Sequence, residues 1–582
     1  MKRILTSSLL LLSVSLGVSA KIIYVTPEGN ASANGTSWNT AVDKLSTAYS
    51  IAQKGDDIYM AAGKYIEMAT VNMKEEVDVY GGFAKGQTSI DERIRPDASK
   101  PWFFTNETVV TGNGDFRLID RADKETLWKQ VIIDGISFKD FETSNGRVLY
   151  FRNSVLLQNS QVINCSCSNT IVYGEENFQI KDCYFAENGS FPLEKKAIAV
   201  QLRGYLQDCQ SNSIENCLFE NNDCQSFSIY NTATAGNPIT TGGTYVEKCT
   251  FRGNKSTCIS VSNQWEGREL KIQNCLFENN SSATTGTVFE GSSLAYFDFT
   301  HNIIRNNTNT TPVDGAWRNS ILSVRSNGQF ANNLIVNNTA TQLLMDLQGS
   351  FVFNNTIANN IGTVYVGENY ATLANSIVSG NTPGHKNKQV LAVENALVDH
   401  CLSDEEIVGE SGSTVDNNLI EATTFVNPTT FKGATNEVDK IAQIQKADFS
   451  LLDASAAVNA GNMAFEEDYY MEAAWVASVM AKDVEGNDRI TNGQINMGAY
   501  QGASNASGIT ENKADYGFVA VGNNQSIRVE TAVSGTVYVY DLTGSCFSKN
   551  MISAGESISI SVEKGIYLVS LNNKVTLKVL VK

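Results

Sequence analysis

The sequence predicts an all-β protein whose main body is a parallel β-helix, a solenoid of short strands. Nine residues, IENCLFENN at 214–222, recur almost unchanged as IQNCLFENN at 272–280. Apolar residues in each copy alternate with a period of two, which is typical of strands. The chain has 44 glycines and only 8 prolines, as expected for many short strands joined by turns.

The nonapeptide belongs to a longer series of repeats. Their shared pattern is apolar, any, polar, Cys or Asn, any, apolar, any, any, Asn. The fourth position recurs at residues 135, 160, 183, 217, 249, 275, 302, 333, 355 and 376, at intervals of 21 to 34 residues. A period in this range indicates a solenoid, and leucine-rich repeats would need a Leu and Asn framework that is absent. Three short strands with their turns fit in about 22 residues, one coil of a parallel β-helix.

Coils stacked about 4.8 Å apart would align equivalent residues in columns. We expect one interior column of Phe185, Phe219, Phe251, Phe277, Ile304, Ile335, Ile357 and Val378. We expect a second of Cys183, Cys217, Cys249 and Cys275, continued by Asn302, Asn333 and Asn355. This spacing exceeds the 3.5–4.5 Å between disulfide β-carbons, and C-x-x-C metal spacing is absent, so the column predicts buried free thiols.

The asparagine that closes each repeat is predicted to turn the chain. These residues are Asn188, Asn222, Asn254, Asn280, Asn307, Asn338, Asn360 and Asn381. Asparagine tolerates left-handed backbone angles, and stacked amides can hydrogen-bond from coil to coil. We therefore expect an asparagine ladder that is structural rather than ligand-binding.

The two ends of the chain carry different signals. Residues 1–20, MKRILTSSLLLLSVSLGVSA, have the layout of a cleavable secretory signal peptide, so the mature chain is expected to begin near Lys21. Because no later stretch is long and apolar enough to cross a bilayer, the product is expected to be secreted or on the cell surface. Residues 46–65 predict an amphipathic helix that ends near Gly55, precedes the first strand and caps the solenoid.

Net charge limits the classes of molecule that the protein is expected to bind, and cysteine content limits its disulfide pairing. The 62 acidic and 44 basic residues give a net charge of −18. Such a balance disfavours nucleic acid, and it disfavours acidic polysaccharides unless a local basic patch or bound calcium intervenes. Eleven cysteines are an odd number, so at least one thiol is unpaired or bonded outside the chain.

Both ends of the repeat region resemble a known family. YVTPEGNASANGTSWNTA (24–41), GDDIYMAAGKY (55–65) and YGGFAKGQTSIDERI (80–94) resemble the opening of secreted bacterial right-handed β-helix proteins of the pectate-lyase-like superfamily. DFSLLDASAAVNAG (448–461) and DVEGNDRITNGQINMGAYQG (483–502) resemble their closing segment. The resemblance implies a right-handed parallel β-helix, with caps at both ends, over residues 21–502.

Residues 509–582 have a different character, with in-and-out alternation between glycine-containing turns. They predict a small C-terminal β-sandwich. VYVYDLTG (537–544), GIYLV (565–569) and KVLVK (578–582) resemble the C-terminal modules of Bacteroidetes exported proteins, including sorting domains of the type IX secretion system. The resemblance implies secretion machinery as a partner, with a purely structural tail as the alternative.

Catalytic signatures of that superfamily do not stand out. Gly384-His385-Lys386 departs from the Gly-His-Gly of polygalacturonase-like hydrolases, and a Ser-His-Asp triad has no nucleophile elbow to support it. His301 fills the polar third place of a repeat, which favours a surface or turn contact, and His385 and His400 lie in loop-like sequence.

One segment contains residues of the type that bind calcium. Asp483, Asn487 and Asp488 could offer oxygen ligands to calcium. The segment lacks a full set of spaced acidic ligands and has Arg489 as an internal partner, so a cap is favoured. We therefore expect no metal and no cofactor, with calcium possible but unsupported by a motif.

The most informative irregularity is loop length. Three consecutive coils enlarge at one corner, at residues 202–213, 232–244 and 263–269, and we call these three loops the wall. Its candidate glycan contacts are Arg203, Tyr205, Tyr230, Trp265 and Arg268. Aromatic faces stack on sugar rings, and arginine binds hydroxyls or carboxylates. The alternative is that these loops only cover the side of the helix.

The leading hypothesis is an exported or cell-surface, non-catalytic β-helix protein that contacts glycans or other surfaces. The alternative is a polysaccharide lyase or glycoside hydrolase of the pectate-lyase-like superfamily, so whether the chain is an enzyme stays open. Nucleic acid is not expected as a partner, and no transmembrane segment is expected.

Overall fold

The structure is a computed structural model whose described residues are 20–121, 129–152, 154–175, 177–204, 211–231, 243–262, 269–291, 297–310, 318–325, 328–368, 370–469, 471, 473–504, 518–523, 525–541, 545–572 and 575–581. The chain divides into two units, residues up to Ala503 and Ser504–Lys582. None of the described helices is both long and apolar enough to span a membrane.

The first unit is a right-handed parallel β-helix, as predicted. Each coil adds one strand in turn to a first, a second and a third sheet, and every pairing within these sheets is parallel. The first sheet contains Ile22–Val25, Asp57–Ala61, Asp78–Phe83, Val131–Asp134, Val155–Gln158, Phe178–Lys181, Asn212–Glu215, Thr244–Glu247, Leu270–Gln273, Asp298–Thr300, Gln329–Ala331, Phe351–Phe353, Thr372–Ala374, Leu397–Asp399 and Thr414–Asp416. The second contains Gly63–Glu67, Thr108–Gly112, Ile136–Lys139, Gln161–Ile163, Tyr184–Ala186, Leu218–Glu220, Thr250–Arg252, Leu276–Glu278, Ile303–Arg305, Leu334–Val336, Thr356–Ala358, Ile377–Ser379, Leu402–Ser403 and Leu419–Ile420. The third contains Val71–Asn72, Ile119–Arg121, Arg147–Phe151, Thr170–Gly174, Ile198–Gly204, Gln225–Asn231, Ile259–Ser262, Gly286–Gly291, Ser320–Arg325, Thr339–Gln348, Ile361–Gly367, Val390–Ala392 and Val408–Gly409.

Shorter elements decorate this body. Additional strands are Glu142–Thr143, Ser166–Cys167, Gly189–Ser190, Ser281–Ser282, Thr308–Asn309, Phe425–Asn427, Asp448–Leu452 and Ala503–Ser504. The α-helices are Leu45–Ile51, Val438–Lys446, Phe465–Tyr469 and Ala473–Val479, and 3-10 turns lie at Trp38–Thr40, Ile90–Glu92 and His385–Asn387. The predicted cap helix therefore exists, but it ends at Ile51 rather than near Gly55, where Ala52 turns extended. The helix was expected to come before the first strand, but strand Ile22–Val25 precedes it. This strand pairs in parallel with Asp57–Ala61 and so begins the first sheet.

The predicted interior columns are confirmed. Phe185, Phe219, Phe251 and Phe277 are buried, and successive ring centroids lie 4.8, 4.8 and 4.9 Å apart. Every cysteine that the structure describes is a free thiol, and the four predicted column thiols are buried. Burial raises the pKa of the Cys165 thiol to about 12. The buried cysteines therefore pack in the core as small apolar side chains.

The asparagine ladder is also confirmed, with one correction. Each side-chain amide donates to Oδ1 of the asparagine one coil on, over 2.9 to 3.0 Å from Asn188 to Asn381. The left-handed angle, however, belongs to the residue before the ladder asparagine, such as Asn221 at φ 55° or Gly253 at φ 66°. The ladder side chain must point inward to reach its neighbours, so the turn is made one residue earlier.

The second unit is a small antiparallel β-sandwich, as the sequence predicts. One sheet contains Val519–Asn523, Ser526–Glu530 and Ser557–Ser561. The other contains Gly535–Tyr540, Cys546–Ile552, Gly565–Leu571 and Val575–Val581. Alternating residues such as Ile527, Val539 and Val569 form one core between the two sheets.

Parts of the outer face of the first sheet are covered. Near its start, Tyr24, Tyr59 and Phe83 form an aromatic cluster. Near its end, the segment with helices Phe465–Tyr469 and Ala473–Val479 packs on outward residues of the later strands, including Phe353. The strands between these two regions carry the site described next.

Candidate functional site

The wall lies at one corner of the β-helix. Each of its three loops joins a third-sheet strand to the next first-sheet strand. Arg203 was expected in a loop, but it lies within strand Ile198–Gly204, because pairing with the next coil continues through Arg203 and Tyr230, which are register partners. Arg203 is half-buried. Tyr205, Trp265 and Arg268 lie outside the described residues.

Next to the wall is a partly exposed stretch of the first sheet, which we call the open first-sheet face. Its outward side chains are Gln179, Lys181, Ser213, Glu215, Tyr245, Glu247, Lys271, Gln273 and Asp298. Period-two alternation directs their apolar neighbours, such as Ile214 and Ile272, into the core. Five strands at about 4.8 Å spacing make this face about 19 Å long.

The centre of this face is a network around one carboxylate. Tyr245 and Lys271 are register partners on adjacent strands. Tyr245 Oη donates to Oε2 of Glu269 at 2.5 Å, and Lys271 Nζ lies 2.5 Å from Oε1 of the same group. Although burial alone raises the pKa of Glu269, Lys271 and Tyr245 outweigh it and hold that pKa below its usual value. The same hydrogen bond to Glu269 raises the pKa of Tyr245.

Asp298 extends the network by one coil and meets an indole. It is the register partner of Lys271. Trp475 Nε1 donates to Oδ1 of Asp298 at 3.1 Å, and Trp475 also packs near Phe353 at 6.2 Å between ring centroids. Burial raises the pKa of Asp298 to about 6. Asp298 therefore changes charge close to neutral pH.

This arrangement suits recognition of a hydroxyl-rich ligand. Lys271 and Tyr245 carry donors, Glu269 and Asp298 carry acceptors, and Trp475 places an indole next to Asp298. Small polar ligands are commonly oriented by a few polar groups next to aromatic surface.

Metal binding finds no support among the described ranges, where no three His, Cys, Asp or Glu side chains converge as a ligand set. The segment that contains Asp483 was expected to cap the end of the solenoid, but it packs on the outer face of the second sheet, where Ala499 and Tyr500 lie against Leu334 and Ala358. Asp483 is buried and accepts backbone N–H bonds from Glu485, Asn487 and Gln501. Its oxygens are thus occupied by the chain itself. Arg489 is also buried and donates to the carbonyl of Asn496 at 3.2 Å.

The histidines have structural partners. His301 takes a left-handed turn position at φ 57°, and its Nε2 lies 3.0 Å from the carbonyl oxygen of Lys482, which confirms the predicted turn contact. His400 Nδ1 lies 2.8 Å from Oδ2 of Asp399. His385 lies in a 3-10 turn.

Sequence reasoning missed the residues of the central network. A signal existed for three of them, because Tyr245, Lys271 and Asp298 each lie four residues before the Cys or Asn column of their repeat. Trp475 had no such signal, since it reaches Asp298 from 177 positions away.

Comparisons with known proteins agree with the architecture. A family model described as right handed beta helix region matches residues 124–308. No curated protein matches the chain. Among solved structures, a mutant of the PL6-family alginate lyase AlyGC is 14% identical with a TM-score of 0.36, over 68% of this chain and 57% of that one. The chain thus spans little more than half the length of that lyase.

Two further solved structures match the chain with low TM-scores. Pectate lyase Pel9A is 12% identical with a TM-score of 0.26, over 83% of this chain and 97% of that one. PfbA, a surface adhesin of Streptococcus pneumoniae, is 12% identical with a TM-score of 0.27, over 60% of this chain and 86% of that one.

Proposed function

We propose that this is an exported β-helix protein that binds glycans on the open first-sheet face and the adjoining wall, without cleaving them. The observation that carries the proposal is the network of Tyr245, Glu269, Lys271 and Asp298, which lines a partly exposed face with donors and acceptors beside the indole of Trp475. Sugar hydroxyls need such paired donors and acceptors.

The wall residues complete this proposal. Arg203 and Tyr230 align on neighbouring strands at the edge of the wall. Together with Tyr205, Trp265 and Arg268 they are proposed as further glycan contacts, through stacking and bidentate hydrogen bonds. Replacing Trp265 or Arg268 by alanine is expected to weaken glycan binding; unchanged binding in both variants removes the wall from the proposal.

Binding is tested with a panel of plant, host and microbial polysaccharides. Lys271→Ala and Tyr245→Phe are expected to weaken binding of whichever polysaccharide the protein retains by about tenfold each. Lys549→Ala, which removes one charge in the second unit, is the matched control and should bind as the parent does. If the parent retains no polysaccharide, or the control loses as much as the site variants, the proposal is wrong.

A second candidate function is cleavage of a polysaccharide by elimination or hydrolysis. The observation that favours it is Asp298, whose pKa burial raises to about 6 beside Lys271. A carboxyl that titrates near neutral pH suits general acid or base catalysis. Unsaturated products, detected by ultraviolet absorbance, or new reducing ends that Asp298→Asn abolishes would establish cleavage and exclude the non-catalytic function.

Export and sorting form the rest of the proposal. Residues 1–20 are proposed as the signal peptide of a secreted or cell-surface protein, and residues 21–502 and 509–582 as its two domains. The second is proposed as a sorting module of a Bacteroidetes type IX system. Its support is the resemblance of its strands, and its own core makes it separable. Deleting residues 509–582 should block surface display; unchanged export would leave only a structural tail.

A further inference from the structure

We propose a second binding site, on the outer face of the third sheet, that takes an oxyanion such as the carboxylate or sulfate group of an acidic glycan. It is centred on Arg147, at the start of strand Arg147–Phe151. The site lies on a different sheet from the open first-sheet face and does not depend on that face binding anything.

The floor of the site is a pair of tyrosines. Tyr150 and Tyr173 are register partners in adjacent coils, and their rings stack at 5.2 Å with an interplanar angle of 28°. The guanidinium carbon of Arg147 lies 4.2 Å from the ring centroid of Tyr173 and 5.0 Å from that of Tyr150. Contact with both rings holds the guanidinium plane in place while leaving its N–H edge for hydrogen bonds.

A second arginine contacts the same floor. The guanidinium carbon of Arg117 lies 4.5 Å from the ring centroid of Tyr150. Arg117 and Arg147 therefore both contact the Tyr150 ring, which places two guanidinium groups around one aromatic side chain.

The charges of this surface do not cancel. Arg117 Nη1 is paired with Oδ2 of Asp120 at 2.8 Å, and Arg152 Nε lies 3.4 Å from Oε2 of Glu175, whose Oε1 accepts the hydroxyl of Tyr173 at 2.9 Å. Counted over these described side chains alone, three arginines and two carboxylates give a net charge of +1. Among the described residues, no carboxylate oxygen lies within 4.0 Å of a guanidinium nitrogen of Arg147, so Arg147 has no ion pair there. The chain as a whole has a net charge of −18, so this local positive charge is opposite in sign to the rest of the protein.

Hydrogen-bonding capacity is unused at the same place. Across the residue ranges that the structure describes, Nε of Arg147 and Nε of Arg117 are buried donors that meet no hydrogen-bond partner, and Oδ1 of Asp120 is a buried acceptor that meets none. A buried donor left unpaired costs about 1–3 kcal/mol, so such groups ordinarily meet an acceptor. Guanidinium groups recognise planar and tetrahedral oxyanions through paired N–H bonds, which defines the ligand chemistry.

The test measures binding of four probes to the full chain at low ionic strength. Dextran sulfate presents sulfate, polygalacturonate presents carboxylate, uncharged dextran is the control polymer, and free sulfate is the competitor. We expect at least one charged polymer to bind and dextran not to bind. Arg147→Gln should weaken binding by about tenfold or more, and Arg147→Lys should recover only part of it, since lysine keeps the charge and loses the fork.

Arg528→Gln is the matched control, because it removes the same charge from an exposed position in the second unit. It should bind within about twofold of the parent. The thermal unfolding of Arg147→Gln and Arg147→Lys is measured as well. An unaltered midpoint in either variant shows that its change in binding does not come from unfolding. The proposal is wrong if the parent binds neither charged polymer, if dextran binds equally, or if Arg147→Gln and Arg528→Gln have equal effects.

Competition identifies the source of the oxyanion. If free sulfate displaces the polymer only at a large excess of sulfate groups, the site recognises a glycan-borne group with neighbouring contacts. If free sulfate competes group for group, the site is one for small oxyanions. Arg147→Gln should leave the binding of any uncharged polysaccharide retained by the open first-sheet face unchanged, so failure here and failure of the first-sheet proposal are separate outcomes.

Discussion

The side chain of Asn222 donates a hydrogen bond to Oδ1 of Asn254 at 2.9 Å, and Asn254 makes the same bond to Asn280 at 3.0 Å. Each amide also reaches a backbone carbonyl, as Asn254 does to Phe219 at 3.0 Å. One side chain therefore ties three coils together at a buried turn, and the stack loses several bonds when one ladder residue is removed.

Asn254→Ala tests this tie. We expect a loss of about 2–4 kcal/mol in the free energy of unfolding of the first unit, because buried partners above and below are left unpaired. Denaturant unfolding followed by circular dichroism measures it. Asn72→Ala is the control, since within the described part of the chain the exposed Asn72 side chain makes a single long hydrogen bond, at 3.4 Å, and its loss should cost under about 0.5 kcal/mol. Similar losses in both variants would contradict the ladder's role.

Phe219→Ala tests the stacked column. Phe219 is 0% exposed and stacks on rings at 4.8 Å on both sides. Removing it should cost about 3–5 kcal/mol, from lost burial and the cavity left behind. Phe103→Ala in the same unit is the control, because Phe103 is 44% exposed. Calorimetric unfolding of both variants decides, and equal midpoints would show that the column carries little stability.

Glu278→Gln tests a charge ladder on the second sheet. Glu278 lies 2.7 Å from Arg252 and 2.8 Å from Arg305. Burial alone raises its pKa, but the two arginines outweigh burial and lower it. A lowered pKa contributes stability above the unfolded value of about 4.3 that is lost as pH falls through the folded value. The variant should therefore lose about 1–3 kcal/mol at pH 7 and match the parent in acid; a loss independent of pH would contradict this account.

Asp298→Asn should behave in the opposite way. Burial raises the pKa of Asp298 to about 6, above its unfolded value of about 3.9. Folding is then penalised increasingly as pH rises from roughly 4 to 6, because the charged form is disfavoured when buried. The variant keeps an acceptor for Trp475, so it should be more stable than the parent at pH 8 and equal to it at pH 4. Thermal unfolding at both values measures the difference, and a variant less stable at pH 8 refutes it.

Much of the fold follows from the repeat because a coil fixes its own neighbours. Period-two alternation within IENCLFENN determines which side chains enter the core. Because Phe219 and Phe251 are register partners, the same side chains point inward in the next coil. The position of the left-handed residue was wrong by one, since the sequence does not show that the inward reach of Asn222 forces the turn onto Asn221.

The candidate site was harder to predict because it forms between distant parts of the chain. Tyr245 and Lys271 meet only through coil stacking, and the indole of Trp475 arrives from the segment that closes the unit. Loop length directed attention to the wall, whereas the hydrogen-bonded network lies on the regular strands beside it. The Arg147 stack was missed for the same reason, since its arginine and tyrosines occupy ordinary strand positions.

The asparagine ladder has a direction. One side-chain N–H of each ladder asparagine points toward the next coil, the last of them from Asn381 to Oε1 of Gln389 at 3.2 Å, and Gln389 donates in turn to the carboxylate of Asp404 at 2.8 Å. Aligned amide dipoles add, so their positive pole falls at this end, and bonds in such a chain polarise one another. The ladder therefore carries a side-chain dipole along the axis of the β-helix, and Asp404 places a carboxylate at its positive end, as an acidic residue does at the amino end of an α-helix.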